Sequence, residues 1–224
     1  MPKEITVGLA GNPNAGKTTV FNNITGAHQH VGNWPGVTVE KREGNRTYKG
    51  YTLSVVDLPG VYSLTAYSLD EIVSRNFIVD GKPDVVVDVV DASNIERNLY
   101  LTVQLLEMSI PLVVALNMMD EAHAKGYEID VGQLSKLLGT PVIPMVASRN
   151  QGIEQLLEQI IDVVENESQL NQPRIEYGRE IEEELSNLEQ LIARDTEISA
   201  RYSPRWLAVK LLEEDEEIIR KFGE

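Results

Sequence analysis

Residues Gly11-Asn12-Pro13-Asn14-Ala15-Gly16-Lys17-Thr18 fit the pattern G-x-x-x-x-G-K-[ST] in full. An apolar run at residues 5–10 leads into them, and a helix-compatible run at 16–24 leads away. A strand, a glycine loop and a helix in that order leave the chain few ways to fold. The glycines let backbone N–H groups turn inward, and the helix adds the positive end of its dipole at the same point, so the loop is shaped for phosphate. Lys17 would neutralise the β- and γ-phosphates, and the Thr18 hydroxyl would ligate Mg²⁺. Taken alone, the motif does not choose between ATP and GTP.

The chain around this loop alternates between strand and helix patterns through residue 165. Residues 26–38 are rich in Gly, Asn, His, Pro and Thr and read as a long loop. Residues 38–48 and 51–56 read as two strands joined near Lys49-Gly50, and 69–79 as a helix. The valine run at 85–90 and the run at 112–116 have the composition of strands buried on both faces. Asn94 is placed to cap a helix that runs to Glu107, and Asp130 one that ends at Leu138 before Gly139. A last strand at 142–146 and an amphipathic helix at 153–164 complete the pattern. The expected fold is α/β, a three-layer and mostly parallel sheet over residues 1–165. Residues 166–175 read as a polar linker and 176–224 as a small all-α domain. There Ile181, Leu185, Leu188 and Ile192 share a helical face, and Ser203-Pro204 has the form of a helix start. Trp206, Leu207, Leu211, Ile218, Ile219 and Phe222 supply apolar contacts for the helical stretch after Pro204, with Trp206 read as core. The five acids at 213–217 read as a solvated helix face or a break.

Composition narrows the partners. The formal net charge of −15 argues against extended contact with DNA or RNA. No cysteine is present, which removes thiol catalysis and Cys-ligated zinc. The start of the chain has no signal core, and the apolar run 108–119, which contains Pro111 and Asn117, is too short to span a bilayer, so the chain is expected to be soluble by itself.

Four further segments choose the base. Asp57-Leu58-Pro59-Gly60 follows a strand; Asp57 would hold Mg²⁺ through a water, and the Gly60 N–H would meet the γ-phosphate. Asn117-Met118-Met119-Asp120 follows the next buried strand, and Asp120 can accept from N1–H and the exocyclic amine of guanine, a pair that adenine does not offer. Ala147-Ser148-Arg149 follows the last strand, with the Ala147 N–H aimed at guanine O6. Thr38 lies in the long loop, where a switch threonine for Mg²⁺ belongs. Thr19 and Gly36 complete the nucleotide-contacting set. Ligands in open α/β sheets bind at the C-terminal ends of the strands, which is where all these segments fall.

The set resembles the translation-factor-related GTPases. The stretch GNPNAGKTTVFNNITGAHQHVGNWPGVTVEKREG, then DLPGVYSL and NMMDEA, is similar to the cytosolic GTPase domain of the ferrous iron transport protein B family. The similarity runs through residues 5–165 and continues more weakly into RWLAVKLL at 205–212. The resemblance implies a Ras-like P-loop GTPase fold followed by a helical domain, Mg²⁺-dependent hydrolysis of GTP to GDP, and a position on the cytoplasmic side of the membrane. It also implies a membrane transporter domain in the same polypeptide, absent from this chain. A homo-oligomer is left open.

The resemblance further implies how hydrolysis works. Val61 stands where many small GTPases place a water-orienting glutamine. Asn14 matches the asparagine that helps to bind K⁺ beside the phosphates, with the backbone carbonyls of Gly32 and Trp34 completing that site. Lys17, Asn14, Thr38 and Gly60 are the expected catalytic set. Met118 replaces the usual lysine, and modest nucleotide affinity with quick GDP release is expected; GDP dissociation over many minutes would count against this. Two other readings stay open: an RNA-associated ribosome-assembly GTPase, and a guanine-nucleotide sensor that does not hydrolyse. Trp34 either stacks on a base or shields the nucleotide, or is an exposed loop aromatic that orders only with the γ-phosphate. His28 and His30, with no nearby carboxylate or cysteine, are poor ligands for a tightly held metal. Asp88 and Asp91 flank the valine strand without an assigned role.

Overall fold

The computed structural model describes residues 3–26, 29–166 and 174–222. Seven strands form one sheet in the order β2 (Gln29–Asn33), β3 (Glu40–Tyr48), β4 (Tyr51–Asp57), β1 (Lys3–Gly11), β5 (Val85–Asp91), β6 (Leu112–Asn117), β7 (Val142–Pro144). The pairs β1–β4, β1–β5, β5–β6 and β6–β7 are parallel, and β2–β3 and β3–β4 are antiparallel. The expected α/β architecture is therefore the one observed.

Helices cover both faces, and the valine run shows why the central strands carry no polar alternation. Val85, Val87 and Val89 point to one core, with Val20, Phe21 and Ile24 of α1 (Lys17–Thr25) and Ile153, Leu156, Leu157 and Ile160 of α6 (Ile153–Glu165). Val86 and Val90 point to the other, with Ile78 of α2 (Leu69–Gly81) and Leu101, Leu105 and Leu106 of α3 (Ile95–Glu107). Side chains alternate across a strand, so a strand covered on both sides must be apolar throughout. Two shorter helices, α4 (Met119–Ala124) and α5 (Val131–Leu138), lie on either side of residues 125–130. Asp130 caps α5 by accepting from the Gln133 N–H at 2.8 Å, and Gly139 takes the left-handed conformation after it, as the sequence predicts.

The second core continues into the C-terminal helices α7 (Arg179–Ile192), α8 (Thr196–Arg201), α9 (Pro204–Leu212) and α10 (Glu216–Phe222). Leu185, Ile192, Trp206, Leu207, Val209 and Ile218 belong to the same buried cluster as the α3 side of the sheet. Polar links reinforce the seam. Arg75 of α2, 1% exposed, pairs through Nη1 with Asp215 Oδ2 at 2.6 Å. Arg201 pairs with Asp80 at 2.6 Å, and Lys82 Nζ donates to the Ala200 carbonyl at 2.7 Å.

Several sequence expectations need correction. The loop read over 26–38 contains β2, an edge strand exposed at every residue, which backbone pairing to β3 creates without any apolar alternation. β3 starts at Glu40 rather than Thr38, and β7 ends at Pro144, with Val146 making a separate bridge to Gln151. Asn94 makes no side-chain cap; Asp91 instead accepts from the Ser93 N–H, and a 3₁₀ turn at Ala92–Asn94 leads into α3. Pro204 opens α9, but the Ser203 hydroxyl caps nothing. Ile181 and Ile219 are exposed, at 47% and 46%, while Leu188 packs on the core. The acidic run is a break between α9 and α10, yet Asp215 inside it is buried by its pair with Arg75. Most of the expected linker, His28 and the Phe222 side chain lie outside the described residues.

Asp88 is a buried carboxylate in the strand core, 1% exposed, accepting from the Thr102 hydroxyl at 2.6 Å. Burial pushes its pKa up to about 7, and the Thr102 bond pulls the other way. Between the ordinary carboxylate range and pH 7 the unfolded chain has lost this proton while the folded chain keeps it. Stability therefore falls as pH rises through that window and levels off above it. Asp88→Asn is expected to lessen the loss of unfolding free energy between pH 5 and 8 by ~3 kcal/mol, measured by urea titration at each pH. Glu107, also pushed up to about 7 by burial and eased by Lys210, keeps a remaining slope in the variant. Identical slopes in the two proteins would contradict this role of Asp88.

Candidate functional site

The loop between β1 and α1 borders a cavity of about 470 Å³ lined by Asn12, Pro13, Asn14, Gly16, Lys17, Thr18 and Gly60. It opens at the C-terminal ends of the parallel strands, the usual place for a ligand in such a sheet. Gly16 has φ +88, and a Cβ there would lie 2.3 Å from Asn117 Nδ2, so only glycine fits. Asn14 holds φ 67, a left-handed conformation that asparagine tolerates.

Lys17 Nζ pairs with Asp57 Oδ1 at 2.5 Å, with the two side chains 11% and 8% exposed. The ammonium expected on the phosphates and the carboxylate expected beside Mg²⁺ thus face each other across the cavity edge. A carboxylate and the exposed Thr18 hydroxyl are hard oxygen donors, which suits Mg²⁺. The segment after Asp57 is fixed firmly. Leu58 N–H donates to Leu9 O at 3.0 Å, and Leu64 N–H donates to the buried Gln104 Oε1 at 2.8 Å. Val61 is 5% exposed and part of the core, so its side chain takes no part in the cavity.

Asn117 is buried and uses both ends of its carboxamide. Nδ2 donates to Ala15 O at 3.0 Å, and Oδ1 accepts from the Ala147 N–H at 2.9 Å. It ties the glycine loop to the turn after β7. The Ala147 N–H, expected to face guanine O6, is spent on this bond here. Asn23 Nδ2 adds a bond to Ala147 O at 2.7 Å, a contact for which the sequence carries no signal. Asp120 lies in the first turn of α4 and pairs with the exposed Arg149 at 3.3 Å, a surface contact of small worth. Met118 caps that helix with φ 60, and its Cε lies 3.7 Å from where a Gly16 Cβ would be. Ser148 stands beside Ala147 in the 3₁₀ turn Ala147–Arg149, and Thr19 is exposed on the first turn of α1.

The switch-loop residues are not brought to the cavity. Gly32 is in β2 opposite Lys41, Gly36 and Thr38 are exposed in the turn after it, and neither these nor Trp34 line the cavity. Trp34 neither stacks over the site nor stays exposed. Its ring meets Phe77 of α2 edge-on, with centroids 5.6 Å apart, and Lys41 sits 5.0 Å from its centre. An indole outside the sheet buries itself against the nearest apolar ring. Its carbonyl accepts from the Val37 N–H at 3.3 Å. Of the three expected K⁺ donors, only Asn14 lines the cavity in this arrangement.

One device is open to sequence reading and lies outside the motifs above. Ser68-x-x-Glu71 is a capping box that starts α2, and the Glu71 carboxylate also accepts from the Tyr67 N–H and the Ser63 hydroxyl. Among the described residues, no group of three His, Cys, Asp or Glu side chains could hold a metal, and no helix is long and apolar enough to cross a membrane.

Comparison with known proteins agrees with this geometry. Residues 5–160 match the family described as Ferrous iron transport protein B, and residues 177–224 match the FeoB cytosolic helical domain. The Fe(2+) transporter FeoB of Escherichia coli K12 is 46% identical over 217 residues, covering 95% of this chain and 27% of its own length. An Fe(2+) transport protein A/FeoB fusion protein of Porphyromonas gingivalis is 45% identical, over 98% of this chain and 26% of its own. The chain thus spans about a quarter of the length of these curated relatives. The cytosolic domain of T. maritima FeoB in a GDP form superposes with a TM-score of 0.92 at 41% identity, covering 97% of this chain and 85% of that one. The same domain in a GMPPNP form superposes at 0.90 and 41% identity, over 97% and 84%. With both of its parts matched, the chain belongs to the ferrous iron transport protein B family.

Proposed function

We propose that the chain binds GTP with Mg²⁺, hydrolyses it to GDP and phosphate, and serves as the cytosolic regulatory part of a ferrous iron transporter. The observation that carries this reading is the Lys17–Asp57 pair at the edge of the cavity, on a fold whose solved relatives hold GDP and GMPPNP. Lys17 leaves Asp57 for the β- and γ-phosphates when nucleotide enters. Mg²⁺, held by Thr18 and through a water by Asp57, supplies charge neutralisation at the phosphates when bound. Asp120 selects guanine by accepting from its N1–H and amine, and Asn117 holds the glycine loop at the height of the base. Gly60 offers its N–H to the γ-phosphate.

Buried Val61 cannot orient water, so hydrolysis relies on backbone groups and on charge placed beside the phosphates. Asn14 would be the side chain that holds a K⁺ there, which requires the segment carrying the Gly32 and Trp34 carbonyls to move from its place beside β3. The switch loop would order with Thr38 around the γ-phosphate and relax after its loss. The seam between α2 and the C-terminal helices would pass that change to the membrane part of the whole protein. Calorimetry tests the base choice: GTP and GDP should bind, and ATP at the same concentration should not. ATP binding as tight as GTP binding would overturn the reading.

A further inference from the structure

Asn12 is the second residue of the glycine loop. It is 3% exposed and lines the cavity, and neither its Oδ1 nor its Nδ2 has a hydrogen-bond partner among the described residues. The other polar side chains of the site are satisfied: Asn117 uses both ends of its carboxamide, and Lys17 and Asp57 pair. The loop does not need this side chain to close. The usual local partner of an asparagine is the backbone N–H two residues on, and that bond is not made here. The turn is closed instead by the Ala15 N–H donating to the Asn12 backbone carbonyl at 3.2 Å. A buried carboxamide with both ends open weakens the fold, and a small apolar residue would occupy the position at less cost.

The backbone beside Asn12 meets the segment that follows Asp57. A Cβ on Gly60 would come within 3.2 Å of Pro13 Cα, and the Val61 N–H reaches the Gly11 carbonyl only at 3.3 Å. Gly60 lines the same cavity as Asn12.

We infer that the Asn12 carboxamide is a positioning group for the third phosphate: with a nucleoside triphosphate in the loop it bonds to the backbone at Gly60 and Val61 and holds that segment against the γ-phosphate. A diphosphate leaves the carboxamide open. Asn12 thus biases the chain toward its triphosphate state through polar capacity that the loop's own bonds leave unused. This rests on the guanine-nucleotide reading above.

The test compares wild type, Asn12→Ala and Asn12→Ser as the full chain. It measures the Tm without nucleotide, and the affinities for GDP and GMPPNP by calorimetry. Asn12→Ala should match or exceed the wild-type Tm, bind GDP within about threefold, and bind GMPPNP at least about tenfold more weakly. Asn12→Ser should fall between; if the alanine variant does not fold, the serine variant is judged by the same ratio of affinities. An unchanged GMPPNP-to-GDP ratio, or a fall in Tm with no change in that ratio, overturns the inference and leaves the guanine-nucleotide reading standing. Failure of the wild type to bind either nucleotide overturns both.

Discussion

Arg75→Ala is expected to lower the unfolding free energy by about 3–5 kcal/mol. The Arg75 side chain is 1% exposed and that of its partner Asp215 is 4% exposed, so the variant strands a carboxylate in the seam between α2 and the break before α10. That carboxylate also accepts from the Ile218 N–H at 3.1 Å, which prevents it from swinging out to water without fraying α10. Removing one member of a buried pair costs far more than removing both, because the cost comes from the charge left behind. The paired substitution Arg75→Met with Asp215→Leu should therefore recover most of the loss. Urea titration of the single and double variants decides this. A loss below ~1 kcal/mol in Arg75→Ala would mean that the seam does not depend on the Arg75–Asp215 pair.

Lys17→Ala should reduce GTP turnover at least ~100-fold, the scale of removing one preorganised charge from a developing negative centre. Its ammonium already sits 2.5 Å from Asp57, so the variant also leaves that carboxylate unpaired beside the incoming phosphates. Binding should weaken along with turnover, and raising Mg²⁺ should restore only part of the loss. Turnover within about tenfold of wild type would remove Lys17 from the phosphate-binding role.

The fold was legible where burial writes a pattern. The central strands are apolar throughout because helices lie on both faces, and the loop 11–18 announces its own geometry through glycines and a lysine. β2 was not legible because every residue in it is exposed, and its existence depends on β3 alone. The six-residue helices α4 and α8 are too short for a hydrophobic period to emerge. Asp215 read as one acid among five because its cation lies on α2, far away in sequence.

The site divides in the same way. Lys17, Thr18 and Gly60 line one cavity, Asp57 pairs with Lys17 and Asn117 bonds to the glycine loop; their motifs are legible because the spacing reflects strand ends. The place of Trp34 was not legible, because Phe77 becomes its neighbour only through folding. The double use of Asn117, and the consequent engagement of the Ala147 N–H, likewise come from loops that meet in space and not in sequence.

Turnover of GTP by the purified chain with Mg²⁺, in KCl and in NaCl at matched ionic strength with ATP as control, puts the proposed activity to its plainest test. The expected result is hydrolysis of GTP and not ATP, faster in K⁺, with the K⁺ advantage lost in Asn14→Ala. Absence of GTP turnover in both salts, or ATP turned over as fast as GTP, would contradict it.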